Sequence, residues 1–238
     1  MQEEWPMQRC LVTGANRGLG LEFTRQLLAR GARVLACCRD PARADDLNAL
    51  QKEHGEELIV HALDVADQQA ITTLPEIAAK HLQRLDLLVN NAGMLVSGER
   101  FGNVTPESLM QSFAVNAAAP LLITQALAPL LMRGHKPRVL CVSTQLASIA
   151  QASGFRTLSY AMSKAALNMA VKRLAAELSP RGVVVMAFHP GWVKTAMGGA
   201  GATLEPATSV KAMLGLIEHA KPDDGGKFLA YDGAPLPW

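Results

Sequence analysis

Three glycines behind a short apolar run are the first residues in this chain whose spacing points to chemistry. Gln8–Thr13 runs into Gly14-Ala15-Asn16-Arg17-Gly18-Leu19-Gly20, after which Leu19, Phe23, Leu27 and Leu28 fall at helical spacing. A strand that turns through glycines into a helix N-terminus offers backbone N–H groups to a phosphate. Gly14 permits the tight turn, Gly18 the approach of backbone to a pyrophosphate, and Gly20 the packing of helix on strand. The spacing is Gly-x-x-x-Gly-x-Gly, and taken alone it is equally a close-packed turn; its place after the first strand favours a dinucleotide. The end of the second strand indicates which one. Cys38 and Arg39 stand where an acidic residue would hold the ribose 2′-hydroxyl of NAD, and Arg17 lies on the same side of the loop. Two guanidiniums and no carboxylate suit a 2′-phosphate, so NADP(H) is the expected cofactor. NAD(H) is the second choice, because Asp40 could swing toward a ribose.

A second group lies farther along. Tyr160 and Lys164 are four residues apart and share one face of a helix. By itself this pair is commonly an exposed aromatic beside an exposed lysine. Its setting is different here, because the helix follows an apolar strand that ends in Ser143-Thr144. In a parallel α/β sheet the C-terminal strand ends wall the ligand crevice. The same edge receives Asn90-Asn91-Ala92-Gly93 and His189-Pro190-Gly191-Trp192-Val193-Lys194-Thr195.

The elements that must position these residues alternate along the chain. Strands are expected at Gln8–Thr13, Val34–Cys38, Leu58–Leu63, Leu85–Val89, Val139–Val142, Val183–Phe188 and Phe228–Tyr231. Helices are expected at Leu19–Arg30, Ala42–Glu53, Gln68–Leu82 (with Pro75 blurring its first half), Pro106–Met132, Ser159–Ser179 and Ser209–His219. Several strands are apolar on both faces, which predicts a doubly wound α/β domain, a parallel sheet with helices on both sides. No repeat or long linker divides the 238 residues, so one domain over 1–238 is expected.

From residue 8 to the C-terminus the chain resembles the short-chain dehydrogenases/reductases, a single-domain Rossmann family. The matching residues are Thr13-Gly14-x-x-x-Gly18-x-Gly20, Asp64-Val65, Asn90-x-Ala92-Gly93, Asn116, Ser143-Thr144, Tyr160-x-x-x-Lys164 and Pro190-Gly191. The Asn16-Arg17-Gly18 loop, the run from His189 to Val193 and the ending Asp232-Gly233…Leu236-Pro237-Trp238 resemble its sniffer-like and C-factor-like carbonyl reductases. The resemblance implies that Tyr160 donates a proton when a carbonyl is reduced and accepts one in reverse. That role requires a phenol brought down from about 10 toward neutrality, which a nearby Lys164 cation favours. Lys164 would also hold the nicotinamide ribose. The implied cofactor contacts are Gly14, Asn16, Arg17, Gly18, Leu19, Gly20, Arg39, Asp64, Val65, Asn91, Ala92, Gly93, Tyr160, Lys164, Pro190, Gly191, Val193 and Thr195.

One position departs from the family pattern, which usually shows two serines at the strand end, the second catalytic. Here Thr144 takes that place, and its hydroxyl would stabilise charge growing on the substrate oxygen. Adjacent strand residues face opposite ways, so Ser143 and Thr144 are not expected to share the task, and Ser143 stays as the alternative. Asn116 has a local signature of its own. Pro120, four residues on, has no N–H, so the carbonyl of Asn116 loses its helical partner and must find another donor, most simply a water. In the family the corresponding Asn holds a water that links the Lys to solvent; the plain alternative is a kink that only shapes the surface.

The implied reaction is NADPH-dependent reduction of an aldehyde or ketone. Alternatives are an alcohol dehydrogenase working oxidatively and a nucleotide-binding signalling protein without turnover. Leu146, Phe155, Trp192 and Met197 are the candidate substrate contacts, the last two on a small-residue loop of about 192–208 that would move over the substrate. With 23 Lys+Arg against 21 Asp+Glu, no nucleic-acid footprint appears. The six histidines and four cysteines show no metal-ligand spacing. No apolar run reaches the roughly 18–20 residues that a membrane-spanning helix needs. Met1–Trp5 lacks a basic region followed by an apolar segment, so no leader is expected. Cys10, Cys37, Cys38 and Cys141 read as reduced core residues of a cytoplasmic protein. Helices Pro106–Met132 and Ser159–Ser179 carry apolar residues on more than one face (Leu121, Leu122, Leu127, Leu130, Leu131, Met169 and Leu174), and in the family this pair forms a dimer interface, so a homodimer or homotetramer is expected.

Overall fold

Strand and helix alternate in the computed structural model, which describes residues 8–238; the opening Met1–Trp5 segment lies outside the described residues. The order is β1 (Arg9–Thr13), α1 (Gly18–Ala29), β2 (Arg33–Cys38), α2 (Asp45–His54), β3 (Leu58–Ala62), α3 (Gln68–Leu82) and β4 (Leu87–Asn90). It continues with α4 (Pro106–Phe113), α5 (Ala119–Leu131), β5 (Arg138–Val142), α6 (Leu158–Leu178), β6 (Val184–His189), α7 (Pro206–Glu218) and β7 (Phe228–Ala230). The strands form one parallel sheet in the order β3-β2-β1-β4-β5-β6-β7. The winding direction reverses between β1 and β4, which opens a crevice at their C-terminal ends.

Side chains alternate across the sheet, so the all-apolar strands feed two cores. Cys10, Val12, Leu140 and Val142 pack toward α1, α2 and α7. Leu11, Val139 and Cys141 pack toward α3, α5 and α6. This is why the strands read as apolar on both faces. All four cysteines are buried thiols within these strands, with no disulfide between them.

Four helices differ from the sequence expectation; the simplest case is α7, which starts at Pro206, three residues ahead of the expected Ser209. The helix expected from Ala42 opens instead as a tight turn at Pro41–Arg43, and α2 starts at Asp45. Pro41 and the Asp40 carboxylate, which accepts from Ala42 N, fix that turn. Helix α3 runs unbroken through Pro75, held by its buried stripe Ile71, Leu74, Ala78 and Leu82. The long helix expected over Pro106–Met132 is divided by a π-turn at Ala114–Ala118, with Asn116 and Ala117 buried in it. Pro120 supplies the reason: lacking an N–H, it cannot close the α-helical bond to Asn116, and the ladder slips by one residue. The combined segment Pro106–Leu131 is also long and apolar enough to span a membrane, with mean hydropathy 1.5 over its best window, half of that window being buried inside the protein. This departs from the expectation that no apolar run is long enough, because polar but uncharged residues such as Ser112 and Thr124 lower the segment's mean hydropathy only slightly.

Candidate active site

The glycine loop is built so that nothing but hydrogen fits at its tightest points. Gly14 and Gly18 have φ of +64° and +54°. A Cβ on Gly20 would stand 2.0 Å from the Gly14 carbonyl oxygen, and one on Gly14 would stand 2.9 Å from Ala92 Cα. Helix α1 begins at Gly18 with no side-chain cap from Arg17, so its first-turn N–H groups face the crevice uncapped by the chain. This backbone cradle at a helix N-terminus fits a dinucleotide pyrophosphate. Asn16 and Leu19 are half-buried beside it, and the Thr195 methyl lies 3.3 Å from where a Gly18 Cβ would be. Arg17 and Arg39 are exposed and enter no ion pair among the described residues. Asp64 closes a turn by accepting from Ala66 N at 2.9 Å, and Val65 is buried behind it.

At the end of β4 the polar groups bind each other. Thr13 Oγ1 accepts from the backbone N–H groups of Asn91 and Ala92, each at 3.0 Å. The Asn91 carboxamide donates to the carbonyls of Thr13 and Gly14 at 2.9 and 3.1 Å. Its side chain therefore braces the glycine turn from within. Gly93 sits where three elements converge: a Cβ there would lie 3.3 Å from Asn116 Oδ1 and 3.7 Å from Lys164 Nζ.

Asn116 makes a reciprocal pair with the backbone of Met94, accepting from its N–H and donating to its carbonyl, both at 2.9 Å. The same amide donates to Ser163 Oγ at 3.0 Å, and Ser163 donates to the Tyr160 carbonyl at 2.8 Å. Met94 and Ser163 are thus positioning groups that motif spacing did not single out.

The two strand-end hydroxyls diverge. Ser143 is 1% exposed and donates to Asn168 Oδ1 at 2.7 Å. Thr144 Oγ1 accepts from Leu146 N at 3.3 Å, and its hydroxyl lies on the Tyr160 side, where it eases ionisation of the phenol. Lys164 is 3% exposed and donates to the Val142 carbonyl at 2.6 Å, so α6 reaches back to the last residue of β5. Burial dominates both titrations. It pushes the Tyr160 phenol up to about 12 despite the Thr144 hydroxyl, and pushes Lys164 down to about 8. A phenol near neutrality, as expected above, is not a property of the chain by itself, because desolvation exceeds the help from neighbouring groups.

The connection after β6 folds on itself. Gly191 has φ +81°, and a Cβ there would meet Leu204 at 2.7 Å. Pro190 O accepts from Ser209 Oγ, and buried Val193 pairs with Leu204. Trp192 donates its indole N–H to the Gly198 carbonyl at 2.8 Å, while Thr195 Oγ1 accepts from Gly198 N. All four candidate substrate residues are exposed, with Leu146 and Phe155 on the β5–α6 connection and Trp192 and Met197 on this one. Phe155 meets Phe101, unmarked in the sequence reading, edge-to-face at 5.4 Å.

A doubly wound parallel sheet with a glycine cradle at its switch point, and a buried Tyr–Lys pair at the same edge, defines a dinucleotide-binding oxidoreductase of Rossmann type. Residues 8–203 match the short chain dehydrogenase family, and the chain belongs to that family, in its sniffer-like carbonyl reductase type. C-signal of Myxococcus xanthus is 40% identical over 154 residues, covering 65% of this chain and 93% of that protein. The carbonyl reductase Sniffer of D. melanogaster superposes with a TM-score of 0.93 at 31% identity, over 98% of this chain and 100% of that one. An NADPH-bound carbonyl reductase from chicken fatty liver superposes with a TM-score of 0.92 at 33% identity, over 98% and 99%.

Proposed function

We propose that the protein is an NADPH-dependent reductase of aldehydes or ketones in which Tyr160 protonates the carbonyl oxygen. The observation that carries this reading is Tyr160 itself: buried, one helical turn from buried Lys164, and influenced by the Thr144 hydroxyl. Reduced nicotinamide, when bound, supplies the hydride, two electrons and a proton's worth of hydrogen delivered to the carbonyl carbon. The chain then has two tasks, to polarise the oxygen and to give it a proton. Thr144 donates to the oxygen as negative charge develops there, and Tyr160 transfers its phenolic proton. The Lys164 ammonium favours the phenolate that remains. Ser143 is held by Asn168 and only braces the strand end.

Arg17 and Arg39 support binding of a 2′-phosphate. Asp40 supports the same reading, because its carboxylate is tied to Ala42 N at 3.1 Å and so is directed at the turn. The apolar rim of Leu146, Phe155, Trp192 and Met197 supports an apolar substrate, with residues 192–208 as the substrate loop.

The test is NADPH consumption with a panel of apolar aldehydes and ketones. Turnover that disappears in Tyr160→Phe is expected. Tight NADPH binding with no turnover on any member would instead mark a non-catalytic nucleotide-binding protein. Arg39→Ala should raise the KM for NADPH far more than that for NADH, and equal effects on both would overturn the NADP(H) assignment.

A further inference from the structure

Helix α6 carries Tyr160 in its first turn yet begins without a local cap. Its flanking residue Thr157 has left-handed backbone (φ +49°) and makes no capping bond with its side chain. The first N–H groups of a helix need acceptors, most of all where the end is buried. Here the acceptor arrives from 60 residues upstream: Glu99 Oε2 accepts from Ser159 N at 3.0 Å. Leu158 N–H and the Ser159 hydroxyl also help to keep this carboxylate ionised. Its other oxygen accepts from Ser108 Oγ of α4 at 3.0 Å, and Ser112 of α4 bonds Ser159 at 3.2 Å.

Glu99 is 3% exposed, and none of the ion pairs among the described residues includes it. A buried carboxylate without a cation is tolerated only where hydrogen-bond donors converge on it, and a helix N-terminus adds favourable dipole charge. Burial pushes its carboxyl upward, but the donors at Ser159, Ser108 and Leu158 outweigh that push and hold it below the usual range. The group is therefore charged at neutral pH, which is the state that caps best.

We propose that Glu99 is a positioning residue for the reaction, a cap supplied by the β4–α4 connection that fixes the first turn of α6 and through it the Tyr160 hydroxyl. The inference rests on Tyr160 being the proton donor. Without the cap the Leu158–Tyr160 turn frays, whereas Lys164 is one turn deeper and is held by Val142. The glycine cradle belongs to β1 and α1 and does not depend on this cap. Loss of Glu99 should therefore reach the chemical step and spare cofactor binding.

Glu99→Gln removes the charge and leaves one accepting oxygen where the carboxylate has two, so one of the donors that now converge on Glu99 must face an amide NH2 instead. The expected result is a kcat lower by roughly tenfold to a hundredfold, the cost of a small misplacement of a catalytic group, with the Kd for NADPH unchanged within about twofold. Asp86→Asn is the control for lost stability. Asp86 is also a buried carboxylate accepting backbone N–H groups, from Arg9 at 2.9 Å and His135 at 2.7 Å, but at the opposite end of the sheet. It should lower the Tm and leave kcat alone. A kcat in Glu99→Gln no lower than in Asp86→Asn, or a parallel loss of NADPH affinity, overturns the proposal. Hydrogen exchange in the unmodified chain tests it without a variant: the Ser159 amide should be as protected as mid-helix Leu167, and exchange at the rate of an open helix end overturns it. If Tyr160→Phe keeps full turnover, it is the proton-donor reading that fails, a result distinct from either outcome at Glu99.

Discussion

Thr144 and Ser143 are neighbours with opposite surroundings, and that contrast yields a ranked set of variants. Thr144→Ala should lower turnover by roughly two to three powers of ten, the usual cost of one lost oxyanion donor. Thr144→Ser keeps the hydroxyl and should retain activity. Ser143→Ala removes the bond to Asn168 and should cost about 1 kcal/mol of stability with little change in rate. Steady-state kinetics beside thermal melts of the three proteins decide the ranking, and an inactive Ser143→Ala beside a healthy Thr144→Ala would reverse the assignment. The titrations make a second prediction. Tyr160 and Tyr231 are the only tyrosines in the sequence, so an ultraviolet titration of cofactor-free protein, read as the difference from Tyr160→Phe, isolates one phenol. It should ionise at about 12, and a step near neutrality would contradict the burial argument. Stability follows in sign. Lys164 is depressed from 10.5 to about 8 on folding, so the unfolded chain holds more protons across that window and stability rises with pH there. Tyr160 is raised from 10.0 to about 12, so stability falls again as pH passes through that range.

Among the elements, α1 is fixed to β1 by the absence of a side chain at Gly20. Gly20→Ala would drive a methyl to 2.0 Å from the Gly14 oxygen, and only backbone movement can relieve that contact. Loss of NADPH binding in a fluorescence titration, together with a lower Tm, is the expected result; unchanged affinity would show that the cradle is not the cofactor site. This turn was legible in the sequence because its cause is local, three glycines between an apolar strand and a periodic helix. The break at Asn116 was legible for the same reason, since Pro120 removes a specific N–H, although its form as a π-turn was not. The cap on α6 left no trace in the sequence. Thr157-Leu158-Ser159 shows no sign that its acceptor is Glu99, because the pairing is created by the packing of α4 on α6. In the β6–α7 connection the sequence shows small residues at 198–202 but not a packing reason for one of them: the Trp192 ring lies 2.7 Å from where a Gly201 Cβ would be.

For the molecule as a whole, the apolar surplus on α4–α6 is smaller than the sequence implied. Leu127, Leu130, Leu131 and Leu174 are buried in the chain's own core. Met110, Phe113, Leu122, Met162 and Met169 remain exposed on the outer helices. A homodimer or homotetramer that covers such residues is the expected assembly. Light scattering at micromolar concentration should give at least twice the chain mass, and Met169→Glu should shift it toward one; a monomer mass for the unmodified chain would refute the expectation. The burial of all four cysteines has a consequence of a different kind. Burial pushes each of these thiols above its ordinary value, Cys141 to about 11, so hardly any thiolate exists at neutral pH. Thiolates are the groups that aldehydes and other electrophiles alkylate first. An enzyme of the proposed kind would meet such compounds at every turnover, and its cysteines would offer them hardly any thiolate.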